Sequence, residues 1–325
     1  MAETGRMSDA AAGYKAATTG VAFLDSSSRG RLHLSGAEHV DFLQRLSTND
    51  VLSLNVGSGL RTVFCDHRGR IVEVAELCRI RADSTIAFLA SGRPQSLIEW
   101  FDRFHFGESM DWRDETTMAG QLDVLGPEAT RVCREILGLD LDQPTFSRLP
   151  HDSLDAMRLD IGGNAGARLW GHGLKAAGAE LTAAGAPTIS DESYEMLRVE
   201  LGIAGGAEFG LEHNPWEAGL DDAIHLNKGC YTGQEVIARL DTYDKVKQHL
   251  VGLRLDAPVS VGASVEVQGR TIGAVTSIAR SPVLGELALA YLRSDHCAPG
   301  TAVTLTDPAE GNPVGAVVSD LPFHG

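Results

Sequence analysis

Close cysteine pairs are missing from this chain: Cys65, Cys78, Cys133, Cys230 and Cys297 stand apart, and no two make a C-x-x-C. That removes the usual frames for structural zinc and for a bound iron–sulfur cluster, each of which takes about four closely placed ligands. The odd count also argues against a disulfide scaffold. No metal site is expected, and Cys78 and Cys133, each in an apolar run, read as buried small hydrophobes. No apolar run approaches the roughly 18–20 residues that span a bilayer, so no membrane partner is expected. The N-terminal stretch lacks the apolar core of a secretory signal, and Arg29 and Arg31 are too few for a transit peptide. The leader reads as frayed up to about Thr19, and the cytoplasm is the expected setting. Positive charge is scarce too, with 28 Lys and Arg against 44 Asp and Glu and a net charge of −16. An acidic surface repels phosphate backbones, so direct nucleic-acid binding is not expected. Neither G-x-G-x-x-G nor G-x-x-x-x-G-K-[ST] occurs in the glycine-rich turn at 227–235, and no solenoid-length repeat is visible.

What is present suits a multidomain globular protein. The 325 residues exceed one ordinary core, and 43% hydrophobic with 22% charged residues is normal for such a chain. Residues 20–138 form a first α+β block. Within it 31–36 alternates as a half-buried strand, and 37–46 carries helical spacing. Residues 60–65 and 71–80 read as strands joined by Asp66-His67-Arg68-Gly69, a hairpin turn with glycine where positive φ is needed. An amphipathic helix is expected over 93–104, and another from Gly126-Pro127-Glu128 to Gly138. Residues 139–248 form a second α+β block, with a helix starting at Ser190 and stopping at Gly202. Residues 221–226 look like a short strand leading into the 227–233 turn, with a helix from Gln234. Residues 249–325 change texture to short β runs punctuated by glycine, the pattern of a small antiparallel barrel or sandwich. The fold class is α+β: two mixed blocks and a C-terminal β-domain.

Lys228-Gly229-Cys230-Tyr231-Thr232-Gly233-Gln234-Glu235 holds the densest chemistry. The two glycines allow tight backbone around a thiol. A helix starting at Gly233 or Gln234 would turn free N–H groups toward Cys230, and Lys228 adds a nearby cation; both favour thiolate. Tyr231 offers a ring for stacking and Gln234 an amide for a donor–acceptor edge. On chemistry alone, an inert cysteine in a strand-to-helix turn fits as well as a reactive one.

The octet matches K-G-C-Y-x-G-Q-E, the signature of the YgfZ group of folate-binding proteins, and the chain resembles that family more widely. Residues 42–51, FLQRLSTNDV, resemble its early segment; Arg198-Val199-Glu200-Leu201-Gly202 resembles R-x-E-x-G; Pro215 to Leu220 resembles P-x-E-A-G-L. The resemblance implies two mixed α/β blocks around a central folate cavity plus a C-terminal antiparallel β-barrel. It implies tetrahydrofolate or a one-carbon derivative as ligand. It also implies a role in making or maintaining iron–sulfur enzymes, tRNA-thiolating ones included, with assembly factors or client proteins as partners. Cys230 and Lys228 then become the candidate catalytic pair. Glu200 is the expected acceptor for the pterin's amino and ring N–H groups. Arg198, Tyr231, Gln234, Asn49 and Asp50 are further ligand candidates, Asn49 and Asp50 serving equally well as turn caps. Lys228 is also a candidate partner for the folate tail, while Arg239, Lys245 and Lys247 read chiefly as surface charges. Two alternatives stay open. One is the aminomethyltransferase of glycine cleavage, whose Asp-Asp pair is met here by Glu73 and Val74. The other is a non-catalytic folate-responsive adaptor.

Overall fold

The computed structural model describes residues 2–243, 245–306 and 313–323, with side chains described from Ala10 onward. Residues 1, 307–312 and 324–325 of the expected leader and barrel segments lie outside the described residues. The chain opens with α1 (Ala2–Thr19) and β1 (Ala22–Asp25), then β2 (Gly30–Ser35), α2 (His39–Leu46), β3 (Gly59–Cys65), β4 (Ile71–Arg81), β5 (Ser84–Leu89), α3 (Pro94–Phe101) and β6 (Asp111–Asp114). Next come β7 (Gln121–Leu125), α4 (Ala129–Leu137), β8 (Arg148–Leu149), β9 (Asp155–Ile161), β10 (Asn164–Trp170), α5 (Leu174–Ala183), β11 (Thr188–Ile189) and α6 (Asp191–Glu200). The last elements are α7 (Gln234–Thr242), β12 (Gln248–Leu255), β13 (Ser264–Val267), β14 (Arg270–Ser281), β15 (Gly285–Arg293), β16 (Ala302–Thr306) and β17 (Pro313–Ser319). Among the described residues no helix is long and apolar enough to cross a membrane.

The strands form two open sheets and one closed barrel. One sheet has the order β3-β4-β5-β2-β6, the other β11-β1-β7-β10-β9-β8. Strands from both sides of residue 138 share the second sheet. In β4 and β5 the two-residue alternation sends Ala75, Leu77, Ala87 and Leu89 toward Phe42 and Leu43 of α2 and Leu97 and Phe101 of α3. The intervening Cys78, Ile86 and Phe88 face the other way and meet Met157, Leu159 and Trp170 of the second sheet. That sheet packs Val124, Ala156, Ala167 and Leu169 against α4 and α5. Helices therefore cover the outer faces, and the inner faces oppose one another. The strands β12-β15-β14-β13-β16-β17 close into an antiparallel barrel filled by Val251, Leu253, Val265, Ala290 and Leu305. Helix α6 docks it to the rest, with Val199 against Leu287, Leu289 and Phe323. The fold class is the one expected, mixed α and β elements with a C-terminal closed antiparallel barrel, while the second sheet draws β1 and β7 from before residue 138 and β8 to β11 from after it.

Local chemistry accounts for the boundaries. Gly69 turns the β3–β4 hairpin at φ 69°, and the Asp66 carboxylate accepts from the backbone N–H of Arg68 and Arg70 at 2.8 and 2.9 Å. The Ser190 hydroxyl accepts from Ser193 N–H at 3.2 Å and caps α6, a contact that contributes about 1 kcal/mol.

Two expectations are corrected. The leader is not frayed: α1 is helical, and Ala10, Tyr14 and Ala17 are buried. These positions recur at i, i+4 and i+7 and pack on Met196 and Leu197 of α6. Residues 221–226 are not a strand. Asp221–Ala223 is a single 3-10 turn, and the chain is irregular from there to Gly233. Its backbone bonds go to the loop after α2 instead of a sheet edge: His225 N–H donates to Thr48 O at 2.9 Å, and the Thr48 hydroxyl donates to Ala223 O at 2.6 Å.

Candidate functional site

A cavity of about 1140 Å³ lies between the two sheets and α6, closed further by the loop that follows α6. Its walls alternate aromatic faces (Phe88, Phe146, Tyr194, Phe209) with fixed charges. The charges come from inward strand positions: Glu76 on β4, Asp123 on β7 and Arg168 on β10. Arg168 grips Asp123 through two bonds of 2.9 Å and reaches Glu76 at 2.5 Å, so one guanidinium ties the two sheets together. Arg29 adds a further bond to Asp123 at 3.1 Å and lies 4.4 Å above the Tyr194 ring. Arg61 continues the chain from Glu76, at 3.5 Å, to Asp222, at 3.3 Å. Burial would raise the Asp123 and Glu76 carboxyls, but the Arg168 charge outweighs it and holds both below the ordinary carboxylate range. The same two carboxylates overcome desolvation and raise the Arg168 guanidinium.

Of the ligand candidates marked by the sequence, Arg198 and Asn49 line this cavity. Arg198 is a joint more than a free hand. Its N–H groups donate to Glu195, Ile203 O, Glu208 and Ser277 at 2.7–3.0 Å, binding α6, the following loop and β14. The Asn49 amide donates to Arg61 O and Asp222 O at 2.8 and 3.2 Å and so fixes the cavity rim.

Glu200 points elsewhere. Its oxygens lie 2.7 and 2.8 Å from the Tyr14 hydroxyl, and the Ser281 hydroxyl donates to it at 2.7 Å, joining α1, α6 and β14 outside the cavity wall. Burial together with the Glu200 hydrogen bond and charge pushes the Tyr14 phenol up to about 12, so it is the donor. The helical period explains the geometry. Residues two apart on a helix differ by about 200°, so Arg198 and Glu200 face opposite ways. The cavity-facing acids of α6 are Asp191 and Glu195. Glu200→Gln is therefore expected to lower stability by about 1 kcal/mol and to leave ligand affinity unchanged. A tenfold weakening in calorimetric titration of a folded variant would return Glu200 to the ligand.

The octet forms a separate construction outside the cavity. Lys228 is only 7% exposed, and its ammonium donates to three backbone oxygens, Gln44 O at 2.8 Å, Ser47 O at 2.6 Å and Asn49 O at 2.7 Å. All three N–H donors are thus used on the chain that leaves α2, which leaves none for a folate tail or for Cys230. Burial draws this amine down to about 8 while the Asp50 charge opposes it. The carbonyls act in the same direction as Asp50, because an ammonium has three donors and a neutral amine two. Tyr231 is buried, its ring 5.2 Å from the Lys228 nitrogen, and it is not offered to a ligand in the cavity. Gln234 opens α7, and Asp50 accepts from the Gln44 amide at 3.0 Å; neither lines the cavity. Gly233, at φ 85°, presses on the β3–β4 turn so closely that a Cβ there would sit 2.5 Å from Asp66 O. Cys230 stands exposed on this anchored turn, whereas Cys65, Cys78 and Cys133 are buried. Burial pushes the Cys78 and Cys133 thiols up to about 12, as suits inert core groups. Arg239, Lys245 and Lys247 are exposed and away from the cavity.

No motif marks the network residues Arg29, Arg61, Glu76, Asp123 and Arg168. A signal for them exists all the same: Asp123 and Arg168 interrupt the apolar runs Gln121–Leu125 and Asn164–Trp170, and charges rarely enter a buried strand without a partner. On β4 the same alternation puts Val74 and Glu76 on the cavity wall. Glu73 lies on the opposite face, fully buried, with Arg93 at 2.6 Å. Burial raises its carboxyl to about 6 against the Arg93 charge.

Two open sheets facing across a charged cavity, with a closed antiparallel barrel docked on them, define a glycine-cleavage T-protein-like fold. The crystal structure of the glycine cleavage system aminomethyltransferase T from Bartonella henselae superposes with a TM-score of 0.86 at 19% identity, covering 97% of this chain and 89% of that one. The GCVT N-terminal domain model matches residues 3–228, and the glycine cleavage T-protein C-terminal barrel domain model matches residues 248–324. The chain belongs to the glycine-cleavage T-protein family. A chloroplastic protein of Arabidopsis thaliana named as a transferase is 31% identical over 316 residues, 94% of this chain and 71% of that protein. An aminomethyltransferase of Symbiobacterium thermophilum is 28% identical over 337 residues, 96% and 88% respectively.

Proposed function

We propose that the protein holds tetrahydrofolate or a one-carbon derivative in the cavity and acts, in the manner of the YgfZ group, in the assembly or repair of iron–sulfur enzymes, tRNA-thiolating ones included. In this reading Cys230 is the working thiol and meets an iron–sulfur assembly or client protein from the outer surface, in the cytoplasm. The observation that carries it is the exposed Cys230 on a turn clamped from both sides, by Lys228 and by Gly233. A thiol kept in water on a rigid support is suited to a partner too large for any cavity. The cavity residues fit a folate. Its volume exceeds the roughly 300–1,000 Å³ usual for small-molecule sites. Phe88, Phe146 and Tyr194 supply flat apolar faces for the rings, and the arginines supply charge for the tail.

Aminomethyl transfer is the second reading, favoured by the relatives that carry that name. Against it, Val74 occupies the cavity wall where a carboxylate would be wanted, and Glu73 is turned away onto Arg93. The test joins a calorimetric titration with tetrahydrofolate to complementation of a strain lacking its own copy, scored by iron–sulfur enzyme activity. Cys230→Ser is expected to bind folate and melt as the parent does, within about 1 kcal/mol, and to fail in complementation. Full complementation by Cys230→Ser would remove the thiol from the function. Absence of saturation at millimolar tetrahydrofolate would remove the folate.

A further inference from the structure

Among the described residues four arginines line the cavity, and three are committed to buried partners. Arg198 spends its donors on Glu195, Ile203 O, Glu208 and Ser277, and Glu208 is fully buried. Arg168 and Arg29 both hold Asp123, which is 2% exposed. Drawing Arg198 or Arg168 onto a ligand strips a buried carboxylate of its main charged partner, the costly way to break an ion pair, and Arg29 is tied both to Asp123 and to the Tyr194 ring. Arg61 is different. Its Nη1 meets Asp222 at 3.3 Å, and the Asp222 side chain is 57% exposed on the 3-10 turn at the cavity rim. If that pair opens, Asp222 returns to water at almost no cost. Glu76, on the other side of Arg61, keeps its bond to Arg168. The backbone on both sides is already fixed, because the Asn49 amide bonds to Arg61 O and Asp222 O together. Exchange at Arg61 therefore needs one side chain to swing and no loop to open.

We propose that Arg61 is the docking group for a carboxylate of the cavity ligand, and that Asp222 is an internal stand-in that occupies it until the ligand arrives. This rests on the folate reading, since a folate tail ends in carboxylates. The ligand anion replaces Asp222 on Nη1, and the count of ion pairs at Arg61 is unchanged. The Phe146 ring, 5.8 Å from the guanidinium, supplies an apolar flank that favours a carboxylate carried on an aromatic or aliphatic stem over a small inorganic anion.

The experiment titrates tetrahydrofolate, and tetrahydrofolate with both tail carboxyls converted to amides, into the parent protein, Asp222→Asn, Arg61→Met and the double variant, each checked by thermal melt. Removing the competitor is expected to tighten tetrahydrofolate two- to fivefold in Asp222→Asn and to leave the diamide unchanged. Arg61→Met is expected to weaken tetrahydrofolate tenfold or more, and the gain from Asp222→Asn is expected to vanish in its background. Equal tetrahydrofolate affinity in the parent and in Asp222→Asn, with the diamide bound as tightly as the acid, overturns the docking role while leaving folate binding intact. A parent protein that binds neither form overturns the folate reading and this proposal with it. Should Arg61→Met not fold, the Asp222→Asn comparison of acid with diamide decides alone.

Discussion

Arg168→Met is expected to cost about 3–5 kcal/mol of stability, the range for removing one partner of a buried ion pair. Arg168 is 7% exposed in its side chain and Asp123 2%, so the carboxylate loses two hydrogen bonds in a place water scarcely reaches. Arg29 keeps one contact with Asp123, and Arg61 keeps one with Glu76, which places the loss toward the lower end. The link between sheets goes as well, since Arg168 on β10 and Glu76 on β4 bridge the inner faces. Chemical denaturation measures the loss. The double variant Arg168→Met with Asp123→Leu is expected to recover part of it, because the stranded charge is gone. The pH dependence has a definite sign. Asp123 and Glu76 are held below their ordinary values, so their share of stability is present above about pH 4 and is lost as pH falls through the folded values. The acid limb of the parent's stability curve is therefore expected to be steeper than that of Arg168→Met. An Arg168→Met protein with the parent's stability and acid limb would mean the network contributes nothing net.

Whatever is decided within a few residues is legible in the sequence. The β3–β4 hairpin follows from Asp66 to Gly69, the start of α6 from Ser190, and the barrel from glycine-spaced β runs. What depends on a distant partner is harder to read. α1 has little apolar patterning of its own, and its helix is held by α6, to which Ala10 O accepts a bond from the Ser193 hydroxyl at 3.0 Å. The stretch 221–226 has strand-like residues but no sheet edge beside it, and it bonds to the loop after α2. The family resemblance points to Glu200 as a ligand residue, although the helical period already separates it from Arg198 by half a turn. The octet is a similar case. Its residue types suggest a cation beside a thiol, yet three carbonyl oxygens 179 to 184 positions earlier in the chain claim the Lys228 ammonium. The thiol's exposure, in contrast, follows from Cys230 lying outside any periodic apolar run.

Lys228→Met is expected to be as damaging to function as Cys230→Ser, but through structure. Methionine nearly matches the length of lysine and removes every donor, so Gln44 O, Ser47 O and Asn49 O lose their shared partner. These oxygens cluster at the C-terminal end of α2, where the helix dipole is negative and a cation is favoured. Hydrogen bonds to a charged group contribute roughly 1.5–3 kcal/mol each, and the three share one nitrogen and are not additive, so a total loss of about 3 kcal/mol is expected. Arginine is not expected to substitute, because its planar fork does not converge on three carbonyls as an ammonium does. The damage should reach the cavity through Asn49. Its backbone oxygen is held by Lys228 while its amide holds Arg61 O and Asp222 O, so loosening one end frees the rim at the other. Two readouts separate this from a local effect. Proteolysis is expected to cut first in 224–233, and ligand affinity is expected to fall in Lys228→Met while staying unchanged in Cys230→Ser. If Lys228→Met melts like the parent and resists protease equally, the carbonyl clamp does not hold the turn. The support for Cys230 must then come from the Gly233 contact with the β3–β4 hairpin.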